Sequence, residues 1–246
     1  MKSKRYAPTQ AINTGAHQKQ AYQQREITMK PIIKNLNNTL QAQTAVLDTQ
    51  IKSICPETGL FLLALFALNC HLLLPADPLY FQADKVAGGE WWRIFTFPFV
   101  HISLFHLALD AGAFLLLYNS LEEKRWSRRI FYVGVCGAAS LLLTLVTTTQ
   151  IHTLGLCGLS GIAHGLMAVS ALEMIRSKSL DRSRIVAGWA MLVVVIGKSI
   201  FEAVTGHVMF EWLYFGLIGT PLVYTHLGGV LGGILGFFGM KVIEKK

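Results

Sequence analysis

The sequence predicts an all-α polytopic membrane protein with six helices that pack as a bundle. Three observations support this fold class. Of the 246 residues, 52% are hydrophobic and only 15% are charged, and long apolar stretches recur along the chain. Soluble domains are about 25% charged, and a spanning helix needs roughly 17–25 mostly apolar residues. The six predicted spans are residues 59–74, 97–118, 129–147, 157–175, 185–205 and 219–240.

The spans differ in character along the chain. The first is short, the second carries His101, His106 and Asp110, and the fifth carries two charged residues. The fourth and sixth are interrupted by glycine and histidine, so we expect them in the bundle interior. Small residues at every fourth position allow two helices to approach closely. The sixth span has this pattern in Gly228, Gly229, Gly232, Gly233 and Gly236.

Residues 1–56 differ in composition from the rest of the chain. They are rich in Gln, Asn, Thr and Lys and contain few large apolar residues. Such a segment cannot bury enough apolar surface to offset the loss of chain entropy on folding. We therefore predict a mobile cytoplasmic tail over 1–56 and a six-span domain over 57–246.

The placement of positive charge predicts the orientation of the spans. The chain has a net charge of +8, and 19 of its 22 Lys and Arg residues lie before span one, in the 2–3 and 4–5 loops or at the C-terminal end. Lys and Arg accumulate in cytoplasmic loops of membrane proteins. Both termini are therefore predicted to be cytoplasmic, and the charge is not attributed to nucleic-acid binding. The four cysteines show no CxxC spacing, so no disulfide framework is predicted.

A serine and a histidine on separate spans suggest chemistry. Ser160 lies between Gly158 and Gly161 at the start of span four, and His226 opens span six. Free backbone N–H groups at a helix N-terminus can stabilise an oxyanion, and a serine needs a base to become a nucleophile. No acidic residue is obviously placed to orient His226. The prediction is a Ser160–His226 dyad; the alternative is that both residues serve only packing.

Further polar residues lie on the same spans. His106 and Asp110 are four apart on span two and His164 is four after Ser160, so each pair shares a helix face. His106 could donate to an oxyanion. Asp110 could do so only as a neutral acid, or could instead orient His106 as an acceptor. His164 could stack on or bond to His226, or simply pack between helices.

Two charged features have both a structural and a functional interpretation. Trp92 and Arg93 in the first outer loop could form an interfacial anchor or part of a structured loop beside the active site. Lys198 and Glu202, four apart on span five, could form an ion pair inside the bundle or contact a polar end of the substrate.

Together these motifs resemble the rhomboid family of intramembrane serine proteases over roughly residues 59–240. The resemblance implies a six-helix rhomboid-like bundle, with Ser160 as nucleophile, His226 as base and His106 at the oxyanion hole. Asp110 stands where the family has an asparagine. The matching elements are Trp92-Arg93, His101 and His106, Glu123-Lys124-Arg125, Gly158-Leu159-Ser160-Gly161, and His226 with Gly229 and Gly233.

A closer resemblance is to the rhombosortase branch, carried by residues 90–93, 161–166 and 198–202. It implies membrane-bound substrates that carry a C-terminal Gly-Gly motif followed by a transmembrane tail, cleaved at a bacterial inner membrane. No cofactor or metal is expected. One rival is an inactive rhomboid-like protein that binds membrane clients, which Asp110 would favour. The other is a metalloenzyme using His101, His106, Asp110, His164 and His226, although no HExxH motif is present.

Overall fold

The computed structural model describes residues 56–74, 78–177, 181–209 and 222–243. Residues 61–246 belong to one compact unit, which contains the candidate site, and residues 1–60 belong to another. Of the unit over residues 1–60, only residues 56–60 are described. The predicted tail over 1–56 therefore lies almost entirely outside the described residues, and the division into tail and domain stays a prediction.

The described chain is helical apart from turns, loops and one isolated bridge between Phe81 and Leu156. Short 3₁₀ helices lie at Cys70–Leu72 and Phe97–Phe99. The α-helices, in chain order, are α1 (Pro56–Leu68), α2 (Ala83–Ala87), α3 (Arg93–Thr96), α4 (Leu104–Ser120), α5 (Trp126–Thr147), α6 (Gln150–Leu154), α7 (Ser160–Ile175), α8 (Arg182–Thr205) and α9 (Tyr224–Ile243).

Three helices of the described chain, α5, α8 and α9, are long and apolar enough to cross a membrane. The number is four if the bent pair formed by Arg93–Phe99 and α4 is one span. Helices α1 and α7 are apolar but shorter, with 13 and 16 residues. At 1.5 Å per residue, α7 is about 24 Å long, less than the roughly 30 Å of a hydrocarbon core. The multi-pass, all-helical class is therefore supported, whereas the count of six spans stays a prediction.

The second predicted span is not one continuous helix. The segment Arg93–Phe99 meets α4 at an angle of 91°. Pro98 lies in the 3₁₀ turn, Val100 is extended, and Ser103 begins α4 by accepting a hydrogen bond from the backbone N–H of His106. An N-cap serine of this kind fixes where a helix starts. His101 consequently lies in the bend before α4.

Helix α7 forms the centre of the bundle and packs against α4, α5, α8 and α9. Its residues Leu166, Ala168, Val169 and Ala171 are fully buried. In contrast, α5 and α8 expose large apolar side chains such as Val146 and Val204. An outward apolar face around a buried central helix is what a bilayer environment favours.

The outer segment before α4 is held in place by Arg93. Its buried side chain donates to Glu90 Oε2 at 2.7 Å and to the carbonyls of Pro78 and Tyr80 at 2.8 and 2.9 Å. The same segment is bonded to the loop that precedes Ser160, because the Gly158 N–H donates to the Phe97 carbonyl at 3.0 Å. Trp91 and Trp92 remain exposed. Arg93 thus holds together a segment that is bonded to the loop before Ser160, and both sequence interpretations of Trp92 and Arg93 stay open.

Replacing Arg93 with alanine should destabilise this segment by about 1–3 kcal/mol, because two partly buried carbonyls and one carboxylate lose their donor. The measurement is the thermal unfolding midpoint of the purified protein in detergent. Arg125→Ala is the control, since Arg125 is 62% exposed in its ion pair with Glu123 and exposed pairs contribute about 0–1 kcal/mol. Equal shifts for the two variants would contradict the structural role of Arg93.

Candidate active site

Ser160 is the first residue of α7 and follows a tightly turned loop. Gly158 has φ +96°, a left-handed conformation that L side chains rarely adopt. A Cβ at Gly158 would lie 2.7 Å from Asp110 Oδ2 and 3.0 Å from His106 Nε2. The glycine therefore lets the loop pass directly over α4, and brings the Ser160 backbone to the His106–Asp110 face.

Glycines also set the distance between α7 and α9. A Cβ on Gly229 would overlap the Gly161 carbonyl, and one on Gly233 would overlap the Gly165 carbonyl. Backbone therefore touches backbone along this interface, as the glycine spacing of the sixth span predicts. The Ser160 turn of α7 lies beside the His226 turn of α9.

His226 is buried and has an acidic partner. Its Nδ1 lies 2.7 Å from Oε2 of Glu202, a fully buried residue on α8. A carboxylate accepts hydrogen bonds, so Nδ1 carries the proton and Nε2 keeps the lone pair that a base needs. The expectation that no acidic residue orients His226 was therefore wrong. The pairing was not visible in the sequence because it depends on the register between two helices.

His164 links the serine to this group. Its ring stacks on that of His226, with centroids 4.0 Å apart and an interplanar angle of 13°. Its Nδ1 lies 2.7 Å from the Ser160 carbonyl oxygen, and its Nε2 lies 2.9 Å from Lys198 Nζ. Lys198 also donates to Glu202 Oε1 at 2.6 Å. The four-residue spacing predicts the Lys198–Glu202 ion pair. Only the structure shows that Lys198 contacts His164 and that Glu202 contacts His226.

Asp110 lies between the groups predicted to bind an oxyanion. Its Oδ2 accepts the Ser160 backbone N–H at 3.1 Å and lies 3.2 Å from His106 Nε2. His101, fully buried, has Nε2 3.7 Å from the same oxygen. Both predicted oxyanion donors therefore converge on one carboxyl oxygen. In this arrangement Asp110 acts as an acceptor from the Ser160 N–H.

A small cavity opens beside the serine. Its volume is about 10 Å³, which is the space for about one water centre. Side chains and backbone of the outer segment, the pre-serine loop, α7 and α9 line it. These include Phe97, Leu156, Cys157, Ser160, Ile162 and Thr225.

The metal-site hypothesis receives little support from the geometry. Among the described residues, ligand atoms of His164, Glu202 and His226 lie within 4.8 Å of one another. However, the two rings are stacked, so their in-plane lone pairs run in nearly parallel planes and cannot converge on one ion. Lys198 already donates to two of the three side chains. His101, His106 and Asp110 form a separate group on the other side of the Ser160 turn.

The candidate site lies within a region of the chain that matches a known protein family. A family model described as Rhomboid domain matches residues 88–241, more than half of the chain. The matched region includes Ser160, His226, His106, Asp110 and Glu202. Comparison with curated proteins gives no match, and comparison with solved structures gives none either.

Proposed function

The chain belongs to the rhomboid domain family, and from this premise we propose that it is an intramembrane serine endopeptidase. Members of this family are generally intramembrane serine proteases. The observation that carries the proposal is the 2.7 Å contact between His226 Nδ1 and Glu202 Oε2, on a helix packed backbone to backbone against the Ser160 helix. A base held in one tautomer, on a helix packed against that of a serine, supports activation of the hydroxyl as a nucleophile.

The proposed reaction is acyl transfer to Ser160 followed by hydrolysis. Ser160 Oγ attacks the scissile carbonyl carbon while its proton passes to His226 Nε2. The oxyanion receives hydrogen bonds from the Ser160 backbone N–H and from His106. His226 then gives the proton to the leaving amine, and water releases the acyl group by the same base catalysis. Glu202 makes the reaction centre a triad instead of the predicted dyad.

The proposed substrates are exported membrane proteins that carry a C-terminal Gly-Gly motif before a transmembrane tail, as the rhombosortase resemblance implies. Glycine-rich segments unwind easily and let a carbonyl approach the nucleophile closely. We place the protein in a bacterial inner membrane with both termini cytoplasmic, following its charge distribution.

The second candidate is a catalytically inactive rhomboid-like protein that binds membrane clients. The position of Asp110 favours it, since its carboxyl group takes up the donors that an oxyanion would need. The two candidates differ in whether Ser160 is reactive.

Covalent labelling tests the proposed function directly. The purified protein is incubated with a serine-directed fluorophosphonate, and the modified peptide is identified by mass spectrometry. We expect modification of Ser160 that a metal chelator does not affect. Co-expression with a Gly-Gly-tailed substrate then gives the cleaved bond, from the mass of the new C-terminus. Absence of both labelling and cleavage would favour the client-binding candidate.

Asp110→Asn should raise the rate of labelling and cleavage several-fold above pH 7. The carboxylate competes with the substrate oxygen for the Ser160 N–H and His106, whereas an amide is a weaker acceptor and can itself donate to an oxyanion. The measurement is a pH–rate profile, with the exposed Asp84→Asn as control. A slower Asn variant would instead mean that the carboxylate orients His106. Identical profiles would show that the carboxyl group of Asp110 does not affect catalysis.

A further inference from the structure

The partly buried cation Lys198 has no part in the reaction described above. The Lys198 ammonium donates to Glu202 Oε1 at 2.6 Å and lies 2.9 Å from His164 Nε2. Its side chain is 19% exposed, whereas that of Glu202 is fully buried. Lys198 thus bonds both to Glu202, the partner of His226, and to His164, which stacks on His226.

The donor capacity of lysine fixes the direction of the hydrogen bonds that involve His164. An ammonium has three donors and no acceptor, so His164 Nε2 must accept from Lys198. The ring proton of His164 then lies on Nδ1, which donates to the Ser160 carbonyl at 2.7 Å. On the other branch Glu202 accepts from Lys198 and from His226 Nδ1. Lys198 therefore fixes the tautomer of His164, and its bond partner Glu202 fixes that of His226.

The balance of charge around Glu202 also depends on Lys198. Glu202 uses both oxygens, since Oε1 accepts from Lys198 and from the Met209 N–H at 2.9 Å, and Oε2 bonds to His226. A buried carboxylate requires a compensating cation. If Lys198 did not supply that charge, protonation of His226 would, and a protonated His226 cannot accept the Ser160 proton. Among the described residues, the charged or titratable groups that face His226 are His164 on α7 and Glu202 on α8, and Lys198 on α8 bonds to both of these. Asp110 on α4 contacts the Ser160 N–H.

We propose that Lys198 is a positioning residue, which balances the Glu202 charge and so keeps His226 neutral with Nε2 available as the base. It also directs His164 to the Ser160 carbonyl. This inference rests on the proposed function of Ser160 and His226. A purely structural ion pair would stabilise the bundle without any influence on the pH at which the base works.

The test compares Lys198→Met with Lys198→Arg, using the rate of fluorophosphonate labelling of Ser160 between pH 5 and 9. The acid limb of the pH–rate profile is the range in which the labelling rate rises with pH. We expect this limb to lie about one pH unit higher in the Met variant than in wild type, the effect of removing one neighbouring charge. On the acid side of both limbs its rate should fall about tenfold, the effect of a shift of one pH unit, with recovery to within about threefold of wild type on the alkaline plateau. The Arg variant keeps the cation, so its acid limb should stay where wild type has it.

Lys241→Met is the matched control, because it removes a lysine from the last turn of α9, far along the helix from His226. It should leave the acid limb unchanged. A Lys198→Met protein with an unshifted acid limb, whatever its overall rate, would overturn the proposal. Lys198→Gln, which keeps donors but not charge, should show the same upward shift if the Met variant does not accumulate. Failure of the proposed function is a separate result, since wild-type Ser160 would then not be labelled.

Discussion

Ser160→Ala and His226→Ala should each reduce cleavage by about 10⁴- to 10⁶-fold, and the double variant should be no slower than either single variant. Groups that act as one unit in a reaction lose nearly all of their effect when one member is removed. In the proposed reaction Ser160 supplies the attacking oxygen and His226 takes its proton, so neither has a function in that reaction without the other. The measurement is the initial rate of substrate cleavage in membranes, with protein amounts matched by immunoblot.

Two substitutions control for damage to the bundle. Ser170→Ala removes a second buried serine from α7, and His152→Ala removes an exposed histidine from α6. Both should retain nearly wild-type rates. Turnover by Ser160→Ala at the wild-type rate would refute the serine mechanism. A double variant much slower than both single variants would show that the two residues act independently.

Glu202→Gln should reduce the rate by about 10²- to 10⁴-fold while the protein remains folded. The amide has nearly the shape of the carboxylate, but its NH₂ group cannot accept from His226 Nδ1, and a neutral oxygen stabilises the imidazolium poorly. Loss of the orienting acid in other serine enzymes has effects of this size. The measurement is the rate of Ser160 labelling together with the thermal unfolding midpoint.

Glu173→Gln is the control for this prediction. Glu173 is also a buried glutamate, but at the other end of α7, where it accepts the backbone N–H groups of Glu122 and Glu123. We expect this variant to lose stability and keep the labelling rate at temperatures where it is folded. If Glu202→Gln were as fast as wild type, His226 would work without an acidic partner, as the sequence alone predicts.

The sequence predicted the parts of the site that depend on spacing within one helix. Ser160 with His164, His106 with Asp110, and Lys198 with Glu202 are each four residues apart, and each pair is in contact or bonded in the structure. The glycine pattern of the sixth span correctly predicted a close neighbouring helix. These inferences required only helical periodicity and the small size of glycine.

Contacts between helices were harder to predict. Glu202 precedes His226 by 24 residues and lies on a different helix, and no local pattern gives the rotation of α8 relative to α9. The 91° bend before α4 was also missed, because an apolar run does not reveal where extended Val100 and the Ser103 cap interrupt the helix. Asp110 was recognised as unusual, but its bond to the Ser160 N–H depends on the path of the loop at Gly158.

The glycine interface between α7 and α9 has a consequence for the entry of water. Where Gly229 meets Gly161 and Gly233 meets Gly165, the two backbones leave no gap between the helices, and a water molecule occupies about 30 Å³. Solvent therefore cannot reach His226 by passing along this interface from the far end of the bundle. In the proposed reaction, the water that releases the acyl group therefore has to arrive by a route other than the interface between α7 and α9.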